Sequence, residues 1–133
     1  DNPIKDFEEM SGKTVAVLEG AQSDMIASGE TTDYGEVKDA KVKRFKNASS
    51  AVMELKNGGA DAVIGDAPVV EYYMTKAGKD FAKTVGERME AEPYGIAVKK
   101  GSKLASDLNK ALAELKKSGE YDKLYTKWFG EKK

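Results

Sequence analysis

Thiol and imidazole chemistry are closed to this chain, because its 133 residues include no cysteine and no histidine. That excludes disulfides, zinc sites built from Cys or His, thiol nucleophiles and Ser-His-Asp triads together. Composition leaves open a carboxylate-only metal site or a carboxylate acid/base pair. Glu8, Glu9, Glu87, Glu90 and Glu92 have no spacing that sets two of them across a shared cleft. They read as solvated surface charge. Ser11-Gly12-Lys13-Thr14 matches the tail of a phosphate-binding loop, but Phe7 stands where that pattern needs its first glycine. The tetrapeptide also precedes an apolar strand-like segment instead of following one, so it reads as a turn.

Two further stretches are better placed for binding. Glu19-Gly20-Ala21-Gln22-Ser23 leads from an apolar segment towards a helix start. Main-chain N–H groups at such a start carry partial positive charge and can hold a carboxylate or phosphate. An ordinary connection capped by Ser23 accounts for the same residues. Gly65-Asp66-Ala67-Pro68 closes another apolar segment. Asp66 can accept charge-assisted hydrogen bonds from an ammonium group, cap the helix opening at Pro68, or do both.

The elements that position these residues alternate in type. Thr14 to Leu18 is short, apolar and β-branched-rich, the pattern of a strand buried on both faces. Lys41 to Phe45 alternates polar and apolar, which predicts a more exposed strand. Asn47 is placed to cap a helix carrying Ala48, Ala51, Val52 and Leu55 on one face, stopped by Gly58-Gly59. Ala60 to Asp66 predicts a third strand, and Pro68 opens a helix running to about Ala77-Gly78. Thr84-Val85 and Tyr94 to Val98 are the last strand candidates. From Ser102 the pattern is helical, with Leu104, Leu108, Ala111, Leu112 and Leu115 on one stripe. Gly119 ends that helix, and Tyr121 to Phe129 forms another. The fold class is therefore α/β: a three-layer, mostly parallel sheet with helices on both faces, followed by two C-terminal helices.

Composition narrows the function classes. Twenty-two Lys+Arg against twenty-three Asp+Glu give a formal charge of −1, without the positive field that nucleic-acid binding needs. No apolar run approaches the roughly 18–20 residues of a membrane span. Asp1 to Asp6 lacks the basic start and apolar core of a signal peptide, so a cytosolic chain, a mature chain or a fragment is expected. The stripe Tyr121, Leu124, Tyr125, Trp128 and Phe129 has helical spacing and needs something to pack against.

Taken in order, Gly12 to Val17, Gly20, Ala60 to Pro68, Glu92 to Gly101, Gly119 to Tyr125 and Lys127 to Gly130 resemble the extracytoplasmic solute-binding proteins of polar amino-acid ABC importers. The glutamine-binding-protein-like group, family 3, is the nearest likeness. The resemblance implies two α/β lobes that close on one amino acid, of which this chain is similar to the second only. On that basis residues 1–93 correspond to a periplasmic-binding-protein-like second lobe. Residues 94–133 correspond to a returning hinge strand and the C-terminal helices, which in the family pack on the first lobe. The resemblance implies that Asp66 receives the ligand's α-ammonium and that Gly20, Ala21, Gln22 and Ser23 meet its α-carboxylate. Ala21 and Gln22 stand where the family pattern has two threonines. The resemblance also implies that Glu19 sits where side chains near the ligand would be, where it would favour a cationic or amide ligand.

The function implied is the amino-acid-binding lobe of a periplasmic or extracytoplasmic receptor serving an ABC permease. It would be non-catalytic, without cofactor or metal, and weak on its own. The competing expectation is an isolated or engineered structural lobe with no ligand, self-associating as a homodimer or domain swap through Tyr121, Leu124, Tyr125, Trp128 and Phe129. An enzyme built on a related fold has no catalytic residues to support it.

Overall fold

The computed structural model describes residues 4–31, 37–76, 78–86 and 94–130. The chain divides into two compact units, Asp1–Met89 and Glu90–Lys133. In the first unit β1 (Thr14–Leu18), β2 (Lys41–Phe45) and β3 (Ala62–Val63) form a parallel sheet in the order β2-β1-β3. β1 is central and its Val15, Ala16 and Val17 are fully buried, whereas β2 is half-exposed along its length. The register pairs Thr14 with Lys41 through Leu18 with Phe45, and Val15 with Ala62 on the other side. Asp61 locks the start of the β1–β3 pair, since its Oδ2 accepts the Thr14 N–H at 2.9 Å.

Helices α1 (Gln22–Ala27) and α2 (Ala48–Lys56) connect the strands, and α3 (Ala67–Thr75) follows β3. The chain leaves β1 towards β2, then returns past β1 to reach β3. Right-handed crossovers in opposite directions put α1 and α2 on opposite faces. The core divides accordingly. Val15 and Val17 pack with Ile4, Met10, Ala27 and Val37, while Ala16 packs with Ala51 and Ala60. Side chains alternate along a strand, so neighbouring residues of β1 fill both cores. Asn47 caps α2 as its sequence position predicts, its Oδ1 accepting the Ser50 N–H at 2.8 Å.

In the second unit α4 (Leu104–Ser118) and α5 (Glu120–Phe129) form a helical pair. Gly119 joins them at φ 76°, the left-handed conformation that a glycine adopts without strain. Asp107 in the first turn of α4 and Lys116 and Lys117 in its last complement the helix dipole. On α5 the Tyr125 and Phe129 rings meet edge to face at 5.1 Å. Tyr121, Leu124 and Trp128 are exposed, Trp128 at 47%.

Three sequence expectations are corrected. Ala60 to Asp66 contributes only Ala62–Val63 as strand, although Ile64 extends the ladder by donating to the Ala16 carbonyl at 3.2 Å. Thr84-Val85 forms no strand. Nor does Tyr94 to Val98, where Tyr94 is 80% exposed. A strand needs a second strand to complete its hydrogen bonds, and among the described residues the second unit contains only helices as regular elements. Ala77, Glu87, Glu90, Glu92 and Pro93 lie outside the described residues.

Candidate functional site

Parallel pairing brings the carboxyl ends of β1 and β3 to the same edge of the sheet. The β1 exit enters α1 on one face. The β3 exit enters α3, which shares a groove with α2 on the other face. Loops leaving adjacent strands towards opposite faces open a crevice, the usual ligand position in open α/β sheets. Leu18, Ala21, Ser23, Gly65, Asp66 and Tyr73 are among the residues lining a cavity of about 70 Å³ there.

The β1 exit is a tight turn. Ala21 N–H donates to the Leu18 carbonyl at 3.1 Å, and Gly20 takes φ +69°. Glu19 N–H donates to the Phe45 carbonyl at 2.9 Å, extending the β1–β2 ladder by one residue. The N-cap of α1 is Ala21, not Ser23, and it makes no side-chain cap. Ser23 instead sits inside the first turn, buried, on the cavity wall.

The β3 exit places Asp66 at the N-cap of α3, with Ala67 and Pro68 opening the helix. Its carbonyl accepts the Val69 and Val70 N–H groups, but its carboxylate makes no cap hydrogen bond. The capping role open to Asp66 from the sequence is therefore filled by main chain alone, and the exposed carboxylate lies on the crevice. The structure thus brings together Ala21, Ser23 and Asp66. Glu19, Gly20 and Gln22 belong to the same turn but do not line that cavity.

Size decides what this crevice can do alone. Enclosed sites for small molecules run to about 300–1,000 Å³. A space of 70 Å³ is a floor on which one side of a ligand can rest. Its walls are aliphatic and aromatic, with Asp66 supplying negative charge at the rim.

A residue that sequence reasoning passed over as part of a helix start is Asp24. It is buried on α1, and its Oδ2 accepts from the Gly20 N–H at 3.1 Å and from Arg44 Nε at 3.0 Å. Burial alone would raise its pKa. The N–H of Gly20 and the bonds and charge from Arg44 and Ser28 outweigh that and hold it below the ordinary aspartate value. Its signal was an acidic residue at the third helical position, where side chains reach back to main-chain N–H groups before the helix. Glu8 and Glu9 are exposed, as surface carboxylates would be.

A profile described as "Bacterial extracellular solute-binding proteins, family 3" matches residues 6–131. The chain is 36% identical to the ABC transporter glutamine-binding protein GlnH of Bacillus subtilis, over 96% of this chain and 45% of that protein. It is 36% identical to the L-arginine-binding protein of Pseudomonas aeruginosa, over 91% of this chain and 48% of that protein. Among solved structures, an ancestral arginine-binding protein bound to arginine is 44% identical, with a TM-score of 0.73 over 98% of this chain and 56% of that one. The chain spans about half the length of the curated relatives it matches. The same α/β lobe and C-terminal helices recur in these structures, and the relatives are binding proteins, not catalysts. By sequence profile, by curated relatives and by fold together, this chain belongs to the family 3 bacterial extracellular solute-binding proteins.

Proposed function

We propose that this chain is the amino-acid-binding lobe of an extracytoplasmic or periplasmic receptor serving an ABC permease. Asp66 accepts the ligand's α-ammonium, and the main chain of Gly20–Ser23 faces its α-carboxylate. Glu19 favours a cationic or amide side chain. The observation that carries this reading is the meeting of Asp66, Ala21 and Ser23 around one crevice at the sheet's switch point. Relatives named for arginine, glutamine and histidine supply the ligand class. Others are named as periplasmic or extracellular proteins, which supports the location.

A receptor of this kind works by differential contact. The ligand touches one lobe when open and two when closed, and closure follows from the added contacts. One lobe alone offers a shallow floor, so affinity falls to the order of millimolar. Backbone amide spectra recorded during a titration with arginine, glutamine or histidine test the assignment. Shifts concentrated at residues 18–23 and 65–66 are expected. Shifts spread elsewhere, with those two segments silent, contradict it.

The second unit favours an accompanying reading. Tyr121, Leu124 and Trp128 leave a large apolar stripe exposed, which in soluble proteins marks an interface. We assign that stripe to the remaining half of a full-length receptor, with self-association of this chain as the competing outcome. Sedimentation equilibrium separates them. A monomer whose mass becomes dimeric only at high concentration fits the first, and a stable dimer fits the second.

A further inference from the structure

The turn that carries the proposed half-site is held by a carboxylate outside it. Ala21 N–H is engaged by the Leu18 carbonyl and Glu19 N–H by the Phe45 carbonyl. Gly20 lies between them, and its N–H donates to Asp24 Oδ2 at 3.1 Å. That carboxylate is itself gripped. Arg44 Nε donates to Oδ2 at 3.0 Å and the Ser28 hydroxyl to Oδ1 at 3.0 Å. Arg44 Nη2 closes the ring by donating to Ser28 Oγ at 2.8 Å. Strand β2, both ends of α1 and the β1 exit therefore converge on one side chain that is only 10% exposed.

Stability alone is a poor reason for such an arrangement. Asp24 is buried but its Arg44 partner is 44% exposed, and ion pairs open to solvent contribute little to folding. A charged network instead fixes one geometry, and here that geometry belongs to the turn beside Asp66. We propose that Asp24 is a positioning residue for the crevice: held by Arg44 and Ser28, its carboxylate captures the Gly20 amide and sets how the Leu18–Ser23 backbone faces Asp66. This inference rests on the reading of the crevice as an amino-acid half-site. It also removes the Gly20 N–H from the donors available to a ligand. Gly20 then serves the site through its left-handed backbone, and not through a contact.

Residue-resolved amide exchange of the whole chain tests this. In Asp24→Asn the Gly20 amide should exchange about tenfold faster, as expected for loss of a charge-assisted bond, over and above any loss of protection at the Val15–Val17 amides, which follow global stability. The signals of residues 21–23 should move. Asp24→Glu should restore part of the protection. The apparent affinity for arginine, followed at residues 65–66, should fall about tenfold in Asp24→Asn. If that variant fails to fold, Ser28→Ala and Arg44→Lys leave the carboxylate in place and should give smaller changes in the same direction. Unchanged Gly20 exchange overturns the proposal. So does faster exchange with undiminished arginine affinity. If the parent chain gives no response to arginine, glutamine or histidine while Gly20 responds as described, the ligand reading fails and the hold of Asp24 on the turn stands.

Discussion

Two aspartates at the sheet edge have opposite circumstances and opposite expected phenotypes. Asp66 is exposed and makes no side-chain cap on α3. Asp66→Asn, a near-isosteric change at an exposed position, should lower the thermal midpoint far less than Asp24→Asn does. Asp24 is buried and its pKa lies below the ordinary value, with burial opposing the shift and the Gly20, Arg44 and Ser28 bonds driving it. A group with a depressed folded pKa contributes stability that is complete above its unfolded value near 3.9 and is lost as pH falls through the folded value. Thermal melts should thus show a stability loss developing below about pH 4–5. Asp24→Asn should flatten that portion of the curve while lowering the plateau at neutral pH. The site at this scale was half legible in the sequence. Asp66 announced itself by closing an apolar segment before a proline. The role of Asp24 depends on Arg44, twenty residues away, and that pairing exists only once the β1–β2 register is fixed.

Elements follow from how many faces they bury. β1 was readable because burial on both sides demands apolar residues at consecutive positions, and Val15–Val17 obey this. Val17→Ala should cost roughly 2–3 kcal/mol, from lost transfer energy plus an unfilled cavity. In urea denaturation this appears as a lower midpoint with an unchanged slope. Asn47→Ala removes the cap on the Ser50 amide and should cost about 1 kcal/mol, read by the same method. Tyr94 to Val98 shows the opposite case. Its apolar residues suit a strand, but strand formation is a property of pairs. Sequence records the propensity of one member and is silent on whether the other is present.

At the scale of the molecule, the half-length match to relatives and the small volume of the crevice say the same thing. A space of about 70 Å³ is too small to enclose a small molecule, and the relatives named for glutamine and arginine have about twice the chain. The fold was legible because alternating strands and helices prescribe a parallel sheet. What covers the Tyr121–Trp128 stripe was not, because helical spacing marks an apolar face without naming the surface that packs on it. Calorimetric titration of arginine into the monomeric chain, beside Asp66→Asn, tests the central claim most directly. A dissociation constant on the order of millimolar, lost in Asp66→Asn without loss of fold, is the predicted result. Micromolar affinity in a monomer, or binding indifferent to Asp66, would contradict it.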